Sequence, residues 1–345
     1  MTSLVKRLVD ERKILQATAE TSIRILAIIN TGATPGEDAK PKPTPFRSLM
    51  FLKKPERVEE VLKLYAESTQ KTIVGTIYSV LSLYKTQPSY KKHYEHYEAD
   101  LKKRSGEIRT ENAKNEKNEK QEKNWLTWES VKEHSKELYD KIATFINAKS
   151  FRSNLQWDTL QSWFVLGLFT DIEPRRNKDY QDMYIVRKWA KDMPSDKNYL
   201  DLNSKSFIFN TYKTATTYGT QTIEIPADLQ AKANVYLKFH PLWTAESKRK
   251  NVHVPLLVNP DGERLTAVNT ITRILNKIFK KNVGASMLRH IFLTDKFGDT
   301  LKEMKKTAGG MAHSISEARE YVKYDKPKDE TVVNQMTPPP PSAHV

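Results

Sequence analysis

Four short segments in the second half of the chain contain the side chains that could carry out chemistry. Together they supply two adjacent arginines, a lysine, a Leu-Arg-His triplet, a further histidine and a tyrosine. The segments are 174–180 (PRRNKDY), 211–214 (TYKT), 286–290 (SMLRH) and 311–314 (MAHS), and the last of them leads to Tyr321. These are the groups that cleavage of a phosphodiester requires when no metal ion takes part.

Each of these residue types has a role in attack on a phosphodiester. Planar guanidinium groups can clamp the two non-bridging oxygens of a pentavalent phosphorus. A tyrosine hydroxyl can attack the phosphorus and hold the strand as a phosphotyrosine ester. A lysine can protonate the departing deoxyribose oxygen, and a histidine can donate to the phosphate or take the proton of the tyrosine.

The order Arg, Lys, Leu-Arg-His, His and Tyr resembles that of the tyrosine recombinase, or phage-integrase-like, family. In particular, it resembles the divergent recombinases of large eukaryotic DNA viruses and related mobile elements. The resemblance covers about residues 157–324. The preceding helical region resembles the core-binding domain of the family, although less specifically.

By this resemblance, five residues of the chain are catalytic. The arginine of the first box, the hairpin lysine, the arginine of the second box, the penultimate histidine and the nucleophile correspond to Arg176, Lys213, Arg289, His313 and Tyr321. The spacing is similar to that of the family, because His313 follows Arg289 by 24 positions and Tyr321 follows His313 by 8.

Four further residues are possible members of the site. Arg175 is the alternative first arginine, since the doublet leaves the register open, and His290 completes the Leu-Arg-His triplet. Ser286 departs from the family, which usually has His or Lys there; a serine can donate a hydrogen bond but cannot carry charge near neutral pH. Tyr324 lies three residues after Tyr321, on the same face of a helix, and is the alternative nucleophile.

Each of these residues has a simpler interpretation when it is taken alone. The arginine pair can be ordinary basic surface or part of a localisation signal. The histidine can be a buried side chain satisfied by the backbone, and the tyrosine can be a half-buried aromatic. Their joint order, together with the predicted strand pair around the lysine, favours catalysis.

Other constellations of residues give weaker signals. His93 and His96 have metal-ligand spacing, but without cysteine or another nearby histidine a solvated helix face is favoured. The sequence has no glycine-rich phosphate loop before a Lys-Ser/Thr pair, and its acidic residues do not group into a two-metal nuclease site. The tyrosines and lysines of residues 84–97 can either contact DNA or pack inward.

Composition limits the class of protein. A chain of 345 residues is about two domains long, and 57 Lys and Arg against 42 Asp and Glu give a net charge of +15. Such a surplus favours a polyanionic partner, either nucleic acid or an anionic membrane surface. The absence of cysteine excludes disulfides, zinc fingers, iron–sulfur clusters and thiol nucleophiles. Without a long apolar run or a secretory signal, we expect a soluble, intracellular protein.

The elements that must position the site predict an α+β fold that is mostly helical. We expect an all-α core-binding domain and a mixed catalytic domain of helices with a small antiparallel sheet. Strand-like segments at 206–210 and 221–225, with Gly219 supplying a turn, predict a hairpin around the lysine. The predicted divisions are an N-terminal helix and Pro/Gly linker, the core-binding domain with a charged connector, the catalytic domain and a Pro-rich tail, at 1–45, 46–147, 148–326 and 327–345.

The combined expectation is a site-specific DNA recombinase or integrase. It would bind double-stranded DNA and form a covalent 3′-phosphotyrosine without a metal or a cofactor, and the resemblance implies a homotetramer on DNA. We expect no membrane partner, and the location would be the host nucleus or a viral factory. Two alternatives stay open: a type IB topoisomerase that relaxes DNA as a monomer, and a DNA-binding protein on a catalytically decayed scaffold, for which Ser286 is the best support.

Overall fold

The chain divides into two units, Met1–Lys117 and Asn118–Val345. The computed structural model describes residues 2–34, 39–147 and 153–323. Each unit has a hydrophobic core of its own. Within the described residues, no helix combines the length and the apolar character needed to cross a membrane.

The described part of the first unit is helical. Apolar residues recur every three or four positions along its helices and meet in one core, which includes Leu26, Leu52, Val61 and Ile77. Proline at the first position begins two of these helices, since its missing N–H is not needed there. The helices are α1 (Thr2–Arg12), α2 (Gln16–Thr31), α3 (Pro55–Leu62), α4 (Glu67–Leu81) and α5 (Pro88–Ala113), with 3-10 turns at Met50–Lys53 and Ser82–Tyr84.

Residues 1–45 differ from the predicted separate helix and linker, because both α1 and α2 pack into the core of the first unit. Leu8 and Leu26 are fully buried there. The linker returns along α2: the backbone N–H of Thr44 donates to the carbonyl of Ala27 at 3.1 Å. The burial of two apolar helix faces therefore joins this segment to the helical unit.

The second unit combines helices with a small sheet. Its central helix, α8, is apolar on all sides and is surrounded by three other helices, as expected for a helix without a polar face. The helices are α6 (Glu119–Asn124), α7 (Trp128–Ala143), α8 (Asn154–Thr170), α9 (Asn177–Gln181), α10 (Ala215–Tyr218), α11 (Ala227–Lys238), α12 (Ala245–Lys250), α13 (Thr270–Phe279), α14 (Ala285–Gly310) and α15 (Ile315–Tyr321). The strands are β1 (Met183–Val186), β2 (Asn198–Asp201), β3 (Ser206–Phe209), β4 (Gln221–Glu224) and β5 (Val254–Pro255).

The sheet has the order β4-β3-β2-β1-β5 and is mixed. The predicted hairpin is confirmed, since β3 and β4 pair antiparallel and Gly219 has a φ of 66° in their connection. The prediction of an antiparallel sheet is wrong for β1 and β2, which pair in parallel because the chain crosses back through 187–197 before β2 begins. The broader prediction of a mostly helical α+β fold is confirmed.

The boundary between the units differs from the predicted one at 147/148. Helices α6 and α7 belong to the second unit, because Val131 and Ile142 of α7 are fully buried in its core. The ring of Trp128 also lies edge-on to Phe292, with centroids 5.3 Å apart. The charge-rich residues before Trp128 concealed this change of core. The predicted tail, 327–345, lies outside the described residues.

Burial of His240 predicts that the second unit loses stability in acid. The imidazole lies edge-on to the rings of Trp157 and Tyr236, and burial lowers its pKa to about 4. An unfolded histidine titrates near 6.5, so the unfolded state binds the proton first as the pH falls. The free energy of unfolding should therefore drop between about pH 6.5 and pH 4, by up to about 3 kcal/mol.

Urea unfolding followed by tryptophan fluorescence tests this prediction, because all six tryptophans lie in the second unit. We expect His240→Gln to lose less stability than the wild type between pH 7 and pH 4. Equal losses in the two proteins would contradict the prediction.

Candidate active site

Arg175 is fixed between α9 and the β3–β4 hairpin. Its Nε donates to Oδ2 of Asp179 at 3.0 Å, and Nη1 donates to Oε1 of Gln221 at 2.9 Å. The guanidinium carbon lies 3.9 Å from the ring centroid of Phe209 and 5.1 Å from that of Tyr212. This arginine is therefore held in one orientation, with 17% of its side chain exposed.

Asp179 is the buried carboxylate beside the arginine pair. Burial raises its pKa, and the charges of Arg175 and Arg176 act in the opposite direction. Its Oδ1 is buried and accepts no hydrogen bond within the described part of the chain. The sequence analysis missed this residue, although the spacing of four between Arg175 and Asp179 is typical of a helical ion pair.

Asn198 connects α9 to the hairpin loop that carries the lysine. Its Nδ2 donates to the carbonyls of Asp179 and Thr211, both at 2.9 Å. Its Oδ1 accepts from the backbone N–H groups of Asn210 and Thr211, at 2.9 and 2.8 Å. Lys213 follows two residues later and is exposed. One buried amide thus sets the position of the loop relative to the arginine pair, and no motif in the sequence indicated it.

Arg289 lies near the start of α14, which runs beside the segment before α9. At the start of the helix, a Cβ built on Gly284 would lie 3.4 Å from Cγ2 of Thr272, and Oγ1 of Thr272 accepts from Nδ2 of Asn177 at 2.8 Å. Two turns after Arg289, Lys296 forms an ion pair of 3.8 Å with Glu173. Residues seven apart share a helix face, so Arg289 lies between two contacts with the segment 173–177.

The structure therefore brings four of the predicted basic residues to one region of the second unit, which we call the basic group. Arg175 is half-buried, Arg176 and Lys213 are exposed, and Arg289 is half-buried. Across the described ranges, no hydrogen bond or ion pair involves the side chain of Arg176, Lys213 or Arg289. Of the possible members, Ser286 and His290 are exposed on the first turns of α14. The basic group is Arg175, Arg176, Lys213 and Arg289.

His313 and Tyr321 form a separate pair beyond the other end of α14. Their rings stack with centroids 5.3 Å apart and planes at 23°. The backbone N–H of His313 donates to the carbonyl of Ala308 at 2.9 Å, and Ala312 has a φ of 58°, so α14 ends here in a left-handed turn. Ser314 then begins α15 with a capping box. The side chain of Tyr321 is 67% exposed.

The structure does not bring this pair to the basic group. Helix α14 is continuous from Ala285 to Gly310, so the end of the helix lies about 30 Å along its axis from Arg289. Gly298 is the only glycine in its middle, and one glycine costs a helix about 1 kcal/mol, which does not end it. The spacing of 24 residues therefore spans a straight helix. Tyr324, the alternative nucleophile, lies outside the described residues.

Neither metal ligands nor relatives assign a role to this region. No group of three or more histidine, aspartate and glutamate side chains in the part of the chain that the structure describes could hold a metal ion. Comparison of the chain with family models, with curated proteins and with solved structures gave no match. What the region offers is positive charge on a rigid support.

Asn198→Ala should destabilise the second unit by about 2–3 kcal/mol, because it removes the partners of buried backbone groups. Asn203→Ala is the matched control: Asn203 lies in the exposed turn after β2, and its loss should change the free energy of unfolding by less than about 0.5 kcal/mol. Urea unfolding followed by tryptophan fluorescence measures both. A similar small effect of the two variants would show that the amide of Asn198 is dispensable.

Proposed function

We propose that this protein cleaves and rejoins DNA strands as a tyrosine recombinase or integrase. The observation that carries the proposal is the basic group, in which α9, the β3–β4 hairpin and the start of α14 converge. Three of its side chains, those of Arg176, Lys213 and Arg289, make no ion pair among the described residues. Unpaired cations on a fixed support suit a phosphate diester, and the net charge of +15 suits a long polyanion.

In the proposed reaction, the phenol oxygen of Tyr321 attacks the phosphorus of a DNA strand. The bond from phosphorus to the 5′ oxygen breaks, which leaves a 3′-phosphotyrosine and a free 5′-hydroxyl. Lys213 gives a proton to the leaving oxygen, and the phenol proton passes to His313. A 5′-hydroxyl of another strand then attacks the phosphotyrosine, joins the new strand and releases the phenol.

The two adjacent arginines have different roles in this proposal. Arg176 is exposed and free to meet a phosphate, so it binds the non-bridging oxygens together with Arg289. Arg175 is already bound to Asp179 and Gln221, so it is a positioning residue that holds α9 against the hairpin. The proposed tyrosine-recombinase fold of the second unit rests on the same convergence of elements.

A second candidate function is DNA binding without strand cleavage, on the same scaffold. The separation of about 30 Å between Arg289 and the end of α14 favours it, because a single chain with this geometry holds its phenol far from its cations. The serine at 286 points the same way. Detection of a covalent protein–DNA adduct separates the two functions.

Tyr321→Phe should bind DNA like the wild type but form no adduct. The test incubates each protein with a pool of labelled nicked duplexes and detects adducts that survive SDS, while fluorescence anisotropy measures binding. Tyr139→Phe is the matched control, since Tyr139 is another partly exposed tyrosine of the same unit, and it should retain the adduct.

Mass spectrometry of the wild-type adduct locates the nucleotide. Nucleotide on Tyr321 is the expected result, and nucleotide on Tyr324 would move the nucleophile. A wild type that binds DNA and forms no adduct would favour the second candidate function.

Substitution of the two arginines should separate catalysis from stability. Arg176→Ala should slow adduct formation about 100-fold or more, because it removes charge that stabilises the phosphorane, and should leave the unfolding free energy within about 0.5 kcal/mol. Arg175→Ala should destabilise the second unit by about 2–4 kcal/mol, because the buried carboxylate of Asp179 loses its partner.

Single-turnover kinetics and urea unfolding measure these effects, with Lys178→Ala as the control for loss of a nearby exposed positive charge. If Arg175→Ala abolished adduct formation in a fully stable protein while Arg176→Ala remained active, the assignment of the two arginines would be reversed.

A further inference from the structure

We propose that the site is completed in trans: one copy of the chain supplies Tyr321 to the basic group of a second copy. The inference rests on the proposed function and extends it to the partner that the reaction requires. It begins from the position of the nucleophile. Attack needs the phenol oxygen about 3–3.5 Å from phosphorus, whereas α14 carries Tyr321 toward the end that lies about 30 Å from Arg289.

The segment that carries the nucleophile is attached to its own chain only locally. Every described hydrogen bond and ring contact of residues 311–323 lies within that segment or joins it to the last turn of α14. Its helix, α15, packs against α14. Nothing in the described residues ties Tyr321 to the basic group of the same copy.

Closure within one copy would require a break in α14. The helix contains no proline, and none of its residues has a positive φ. Sharp kinks arise mostly at proline, at glycine–serine pairs or at an inserted side chain or water, and Gly298 followed by Asp299 is none of these. The straight helix therefore favours delivery of the phenol to another copy.

An uncovered apolar stripe on α14 supplies the surface for that second copy. The stripe consists of Leu293, Phe297, Leu301, Met304 and Ala308, at helical spacing on one face. Helix α15 covers its last turn, where Ala308 is buried. At the other end, Leu293 and Phe297 are 53% and 49% exposed. Contiguous apolar surface of this kind marks an interaction site in a soluble unit.

The uncovered end of the stripe adjoins the basic group. Leu293 lies one turn after Arg289, and Phe297 lies one turn after Leu293. A partner seated on these two side chains therefore lies beside Arg289. The occupant that completes the site is a second copy of this chain, because its segment 311–323 brings an exposed tyrosine and further exposed apolar side chains. These are Met311, Tyr321 and Val322.

Mixing two inactive variants tests the inference. Arg289→Ala keeps the phenol and lacks a phosphate ligand, and Tyr321→Phe keeps the ligand and lacks the phenol. Each variant alone should form no adduct with the nicked duplexes. A mixture should recover about a quarter of the wild-type adduct, since a random cyclic assembly pairs this donor with this acceptor at about one interface in four. A size tag on one variant should show that the Arg289→Ala chain carries the DNA.

The outcomes separate this inference from the proposed function. A wild type that forms adduct, with a mixture that forms none, would overturn delivery in trans and leave the proposed function standing. A wild type that forms no adduct would overturn both. Adduct on the Tyr321→Phe chain of the mixture would move the nucleophile to another residue and overturn the inference for Tyr321.

A surface variant provides an independent measurement. The double variant Leu293→Ser and Phe297→Ser should lower adduct formation at least tenfold at low protein concentration, with recovery as the concentration rises, because the second copy binds more weakly. Glu303→Ser, on another face of α14 and exposed, is the matched control and should behave like the wild type. If the double variant retained the wild-type rate at every concentration, the apolar stripe would not be the docking surface.

Discussion

One buried amide determines where the functional side chains of the second unit lie. Asn198 is 1% exposed and uses both amide hydrogens and its oxygen on backbone groups of α9 and the hairpin loop. A carboxylate cannot donate and a hydroxyl has one hydrogen, so among side chains of this size the amide alone satisfies both carbonyls and both N–H groups. The arginine pair and Lys213 are consequently positioned by a residue that has no chemistry of its own.

The same region separates rigidity from ligand binding. Arg175 holds its position through a buried carboxylate, Asp179, and through the faces of two aromatic rings. The cost of burying that carboxylate appears as its raised pKa, and the adjacent guanidinium groups offset part of it. Arg176 makes no such contact and projects from the fixed backbone. A doublet that looks redundant in sequence thus divides into one side chain for structure and one for a ligand.

Local patterns predicted the hairpin around the lysine and the mostly helical α+β class, because alternation and helical periodicity are properties of neighbouring residues. The parallel pairing of β1 and β2, the place of α7 in the second core and the role of Asn198 depend on residues far apart in sequence, and no local pattern encodes them. The spacing from Arg289 to Tyr321 was informative about residue types but not about distance, since the same 24-residue interval to His313 fits a bent or a straight helix.

The straight helix has a consequence for the proposed chemistry. With cations at one end of α14 and the phenol beyond the other, each copy holds two incomplete halves of a site. Strand cleavage would then depend on the encounter of two copies, whereas binding of DNA phosphates would depend on one. A protein that binds DNA at many places but cuts only where two copies meet avoids breaking strands it cannot rejoin, because the second copy also brings the strand that accepts the phosphotyrosine. In this arrangement, the length and continuity of α14 control the reaction.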